Sequence, residues 1–240
     1  MEADRGRYAV YYSPEQESAL GRFGRSWLGY DAEAAMPVAQ PAAAGISAQR
    51  LTEITAEPRR YGFHATLKPP FSLVPGQDEG GLAAAVASFA ARQAAILAPP
   101  LALAAISGFW ALVPSQPCPP LDRLAADCVR HFDPFRAPPP TDELARRRRT
   151  GLSPAQEVLL ARWGHPYVMD EFRFHLTLTE RLAASEAFRV GEVLSTLVAP
   201  LCRTALRLDA IGLFHQPGRG ERFRLVRTYR LSGATTGAAC

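Results

Sequence analysis

Two stretches far apart in the chain share one pattern, Phe-His-x-Thr-Leu. They are Phe63–Leu67 within "YGFHATLKPP" and Phe174–Leu178 within "FRFHLTLTER". Along a β-strand successive side chains point to opposite faces. The first stretch then carries Arg60, Gly62, His64, Thr66 and Lys68 on one face and Tyr61, Phe63, Ala65 and Leu67 on the other. In the second, Arg173, His175, Thr177 and Thr179 oppose Phe172, Phe174, Leu176 and Leu178. An apolar face packs into a core. A face of imidazole, hydroxyl and cationic groups is costly to bury without partners, so it should line something wet or something charged. The two motifs are more than a hundred residues apart, too far for one helix or turn. A fold that gives them a common purpose has to bring two equivalent strands together.

The elements around each motif repeat as well. Each echo is followed by a helix and then a strand: "GGLAAAVASFAARQAAIL", read as helical until Pro99, with "LALAAISGFWALVP", and "SEAFRVGEVLSTLV" with "TALRLDAIGLFHQ". A strand "RYAVYYS" opens the chain, and a helix capped by Ser13 with Pro14 at its first position follows it. Another helix starts behind Ser47. "PLDRLAADCVRHF", "DELARRRR" and "SPAQEVLLARW" read as three helices between Pro-rich turns. "TALRLDAIGLFHQ" and "RFRLVRTYRL" form a hairpin around "PGRGE". The expected fold class is α+β: a duplicated, bilobal unit over residues 1–235 with a tail at 236–240. It has two antiparallel sheets around a central cleft and helices outside. The motif strands lie at 60–68 and 171–179, with a helical insertion at about 117–166 between the halves.

Composition fits this picture and narrows the partners. With 240 residues and 48% hydrophobic content the chain can bury a substantial core. A formal charge of +4 suits an anionic ligand and is too small for a dedicated DNA binder. The amino terminus shows no apolar leader. The uncharged run Ala94–Leu121 is broken by five groups of proline and glutamine, so a membrane span is excluded in favour of an interior strand. Cys118, Cys128, Cys202 and Cys240 show no C-x-x-C spacing, so reduced thiols in a cytoplasmic protein are expected.

Two imidazoles meeting across a phosphate can divide the proton work, one neutral and accepting, the other protonated and donating. Thr66 and Thr177, two residues along, can hydrogen-bond phosphate oxygens, and Arg60, Lys68 or Arg173 can offset their charge. No Asp, Glu or Cys stands beside either motif at ligand spacing, so neither a metal nor any other cofactor is expected. Taken singly, each His could be a satisfied interior residue and each Thr a simple strand former. Tyr8, Tyr11 and Tyr12 could stack on a ligand or merely pack, while Tyr61 falls on the apolar face. Arg146–Arg149 spread around a full helical turn, so they cannot all face one ligand.

A pair of H-x-T motifs in two similar halves resembles the 2H phosphoesterase superfamily. His64 with Thr66 and His175 with Thr177 are the matching positions. "PRRYGFHATLKPPF", "GFWALVP", "ELARRRRTGLSPAQ", "WGHPYVMDEFRFHLTLT" and "RYAVYY" resemble its branch associated with phosphonate-utilisation operons. The resemblance implies metal-independent hydrolysis of a cyclic phosphate or small phosphodiester, with His64 and His175 as acid and base. The ligand would be a small phosphorylated molecule, a nucleotide or an RNA end. A non-catalytic RNA or nucleotide binder and a partner subunit of a phosphonate-metabolism complex are the rival expectations.

Overall fold

In the computed structural model, residues 6–149 and 151–234 are described; the expected tail at 236–240 lies outside them. Strand β1 (Arg7–Tyr12) leads to helix α1 (Ala19–Leu28), whose cap is Ser18 and not Ser13. Ser18 accepts from the Gly21 amide, and residues 13–17 form the turn before it. A two-strand ribbon, β2 (Tyr30–Asp31) with β3 (Met36–Pro37), precedes α2 (Ala48–Ile54), which Ser47 caps as expected. The short α3 (Ala56–Arg59) then delivers the chain to β4 (Ala65–Phe71).

β4 runs through Pro69 and Pro70, where sequence reasoning stops it. Proline is tolerated there because β4 is an edge strand with only β1 beside it. Helix α4 (Glu79–Arg92) ends earlier than Pro99. The run expected as one strand is a hairpin of β5 (Ile96–Ile106) and β6 (Phe109–Pro114). Ser107 and Gly108 both take positive φ at its two-residue turn, the conformation that matches the twist of the flanking strands.

The three helices expected between the motifs are α5 (Pro119–His131), α6 (Thr141–Arg148) and α7 (Pro154–Trp163). Ser153 caps α7 in a reciprocal box with Gln156. The second motif forms only a two-residue strand, β7 (Leu176–Thr177). Helix α8 (Ala184–Val198), β8 (Ala205–Leu208), β9 (Ala210–Gln216) and β10 (Arg224–Arg230) complete the chain.

The strands form two four-stranded antiparallel sheets, ordered β10-β9-β1-β4 and β7-β6-β5-β8. Each motif strand therefore occupies an edge. Phe63, Ala65, Leu67, Phe174, Leu176 and Leu178 all enter one hydrophobic core, as the alternation requires. Cys128 and Cys202 are free thiols, whereas Cys118 is disulfide-bonded, contrary to the expectation of reduced thiols throughout. Among the described residues no helix is long and apolar enough to cross a membrane.

Candidate functional site

Both motifs open onto one cleft of about 910 Å³, lined by His64, Thr66, His175 and Thr177 among others. The two imidazoles are held in the same way. Nδ1 of His64 meets the carbonyl oxygen of Gly62 at 2.9 Å, and Nδ1 of His175 meets that of Arg173 at 2.7 Å, in each case two residues back. A carbonyl oxygen only accepts, so Nδ1 carries the hydrogen in both rings and Nε2 is left with its lone pair. In His64 that lone pair meets the Thr66 hydroxyl at 3.2 Å. Gly62 makes its contact from the left-handed region (φ 76°), at the turn between α3 and β4.

Burial pulls both histidines below the ordinary imidazole range. His64 falls to about 4, against the opposing pull of the Gly62 carbonyl and with help from His175. His175 is lowered by burial against the Arg173 carbonyl. That His64 feels the charge of His175 places the two motifs within electrostatic reach. Both shifts favour the neutral ring.

The proposed cations fare differently. Arg173 lines the cleft and is exposed. Arg60 turns away, donating to the Arg219 carbonyl at 2.7 Å and lying 3.7 Å from Glu57. Lys68 is 1% exposed; its ammonium binds the Val129 carbonyl at 2.9 Å and Asp133 at 3.0 Å. The reason is a β-bulge. Tyr11 pairs with Thr66 and Val10 with Lys68, so one step on β1 matches two on β4. Val10 and Tyr11 point to opposite faces, and the extra residue, Leu67, turns Lys68 onto the core side against α5. Thr179 stays at the cleft wall but is 1% exposed and spends its hydroxyl on backbone: it accepts from the Trp110 amide and donates to the Glu180 carbonyl.

Other residues join the cleft that the alternation did not nominate. Tyr61, expected in the core, lines it, because residues 60–63 are turn and not strand. Tyr11 packs its ring on His64 with centroids 3.9 Å apart, and its fully buried hydroxyl has no hydrogen-bond partner. Tyr12 instead packs against Phe174, and Tyr8 stacks on His215. Of the arginine run, Arg146 and Arg147 line the cleft while Arg148 pairs with Glu157. Arg7 and His165 line it as well. Among the described residues no three His, Cys, Asp or Glu side chains gather in a way that could hold a metal ion.

Two curated relatives align along nearly the whole chain. One, from Janthinobacterium sp. (strain Marseille), is 38% identical over 221 residues, covering 90% of this chain and 49% of its own. The other, from Laribacter hongkongensis (strain HLHK9), is 35% identical over 229 residues, with 92% and 51% covered. Both are named ribose 1,5-bisphosphate phosphokinase PhnN. The chain spans about half the length of the curated relatives it matches. A phosphokinase attaches a phosphoryl group, so these names overturn the expectation of a metal-independent hydrolase acting on a cyclic phosphate or small phosphodiester. The family model described as "Protein of unknown function (DUF1045)" matches residues 66–224, and the chain belongs to that family.

Proposed function

We propose that this chain provides the phosphorylated-ribose site of an enzyme of phosphonate metabolism, with its phosphate held between the two H-x-T motifs. The observation that carries this reading is the matched presentation of two Nε2 lone pairs and two threonine hydroxyls into one cleft. Phosphate esters of sugars bring hydroxyl protons for the lone pairs to accept, and oxygens for Thr66, Thr177 and the exposed Arg173 to bind. The names of the curated relatives supply the ribose phosphate, and the operon-type sequence resemblance supplies the phosphonate context.

In this reading His64 accepts the proton of a sugar hydroxyl as that oxygen bonds to the donor's terminal phosphorus. The P–O bond to the rest of the donor breaks and releases it as the leaving group. A neutral ring whose Nδ1–H is tied to a carbonyl suits that task. The donor's own site is a separate matter. The sequence holds no G-x-x-x-x-G-K-[ST] loop, and its one lysine, Lys68, is buried and ion-paired. We assign this chain the acceptor side of the transfer. We also read the two edge motif strands as equivalent members of a duplicated, bilobal unit of the 2H type, as a statement about architecture and not activity.

Isothermal calorimetry with ribose 5-phosphate tests the reading. Wild-type protein should bind it more tightly than ribose, and His175→Ala or Thr177→Val should each weaken binding by about tenfold. Absence of binding, or binding indifferent to both substitutions, refutes it. A clear preference for nucleoside monophosphates would replace ribose phosphate by a nucleotide.

A further inference from the structure

Strand pairing makes the two motif stations comparable position by position. Thr66 lies opposite Tyr11 on the first sheet, and Thr177 lies opposite Ala111 on the second. One step on, Ala65 faces Tyr12 and Leu176 faces Leu112, so the registers agree. The imidazoles are tied to backbone carbonyls alike. The residues facing the two threonines are not alike: a methyl group stands on the His175 side and a phenol on the His64 side.

The phenol is placed against the first imidazole. The Tyr11 ring lies on His64 with centroids 3.9 Å apart, and it also packs on Phe214 at 5.0 Å and Phe223 at 5.9 Å. Tyr11 is 0% exposed yet lines the cleft, and its hydroxyl has no hydrogen-bond partner. That hydroxyl feels the charges of Tyr61 and Arg7, two other residues of the cleft wall. The phenol oxygen, and not only the ring, therefore sits at that wall. Burial holds its pKa well above the ordinary phenol value, with Tyr61 adding to the rise and Arg7 opposing it. The oxygen keeps its proton and is a donor.

Packing gives no reason for this oxygen. Phenylalanine would make the same ring contacts, and a buried hydroxyl left unpaired lowers stability. Tyr30, also buried, spends its hydroxyl on the Phe223 carbonyl at 2.9 Å. Tyr229 has an unpaired buried hydroxyl as well, but it belongs to β10 and does not line the cleft. What the Tyr11 hydroxyl lacks is an acceptor, and a ligand brings one. A sugar hydroxyl that gives its proton to Nε2 of His64 has two lone pairs on its oxygen. One can accept from Tyr11, which orients the group, and the other stays free to bond to phosphorus.

We propose that the Tyr11 hydroxyl donates to the sugar hydroxyl whose proton His64 accepts, so that the first motif, and not the second, is the station of the acceptor oxygen. This rests on the ribose-phosphate reading and deepens it by naming what tells the two H-x-T stations apart.

Calorimetry with ribose 5-phosphate and inorganic phosphate on wild type and Tyr11→Phe tests it, with Tm read on the same samples. Tyr11→Phe should weaken ribose 5-phosphate by about tenfold, the loss of one hydrogen bond, and leave inorganic phosphate unchanged. Its Tm should rise. In a His64→Asn background the same change should cost less than about threefold, because both groups hold one hydroxyl. Unchanged ribose 5-phosphate affinity in Tyr11→Phe overturns the proposal alone. So does an equal loss for both probes, which would put the hydroxyl on phosphate, or a lowered Tm, which would show it partnered within the protein. Full additivity with His64→Asn also overturns the shared hydroxyl. Failure of wild-type protein to bind ribose 5-phosphate overturns the ribose-phosphate reading and the Tyr11 proposal together.

Discussion

Lys68→Met separates a structural lysine from a ligand-binding one. At 1% exposure the ammonium has lost its hydration, and burial outweighs the Asp133 partner, pulling its pKa from 10.5 to about 8. That depression corresponds to about 3 kcal/mol against the charged form. Asp133 keeps Arg136 at 2.7 Å when Lys68 is removed, so the lost attraction is partly covered. Lys68→Met should therefore be neutral or stabilising by about 1–3 kcal/mol at pH 7.5. Asp133→Asn does the reverse, leaving an uncompensated buried ammonium, and should destabilise by about 3–5 kcal/mol. The pH dependence has a definite sign. Between pH 8 and 10.5 the unfolded lysine is protonated and the folded one is losing its proton, so this group adds stability as pH rises. Urea unfolding of wild type and Lys68→Met in parallel isolates the effect, because other titrating groups cancel in the difference. The advantage of Lys68→Met should shrink by up to about 3 kcal/mol across that window, and its ribose 5-phosphate affinity should match wild type. A constant difference with pH, or a lost affinity, would show the ammonium to be solvated and facing the cleft.

Other expectations follow from the same geometry. His64 is held near pH 4 against an unfolded value of 6.5, so its contribution is complete above 6.5 and is lost as pH falls toward 4. Relative to His64→Asn, wild-type protein should lose up to about 3 kcal/mol across that range in urea titrations. Tyr11→Phe removes a buried hydroxyl that has no partner, and should raise stability by about 1 kcal/mol, read as a higher Tm. Gly62→Ala puts a Cβ 2.8 Å from that of Ala32 at φ 76°. It should cost about 1–2 kcal/mol and weaken ribose 5-phosphate binding by displacing the carbonyl that orients His64.

The sequence revealed what depends on local alternation and concealed what depends on neighbours. His64, Thr66, His175 and Thr177 were legible because each sits within or beside a strand whose opposite face is apolar. The helices behind Ser47 and Ser153 were legible from their caps. Lys68 was misplaced because alternation carries no sign of a bulge until the partner strand is known. Tyr61 and Arg60 were misplaced because the strand begins at Ala65, after a turn. Arg7 was invisible as a site residue. Its relation to Thr66 passes through the pairing of β1 with β4, a long-range fact that neither segment declares. The Ser107–Gly108 turn could have been found, since a lone Gly inside an apolar run marks a hairpin as readily as a strand defect.

The single inserted residue at Leu67 also governs how this protein can vary. Exchanging side chains at position 67 would leave the register intact, whereas inserting one residue into β1 between Val10 and Tyr11 would pair the two strands step for step and restore strict alternation. The ammonium would swing toward the ligand, Asp133 would lose its buried partner, and α5 would lose an anchor on the sheet. Homologous chains should therefore tolerate different residues around the bulge far better than a different number of them on the β1 side.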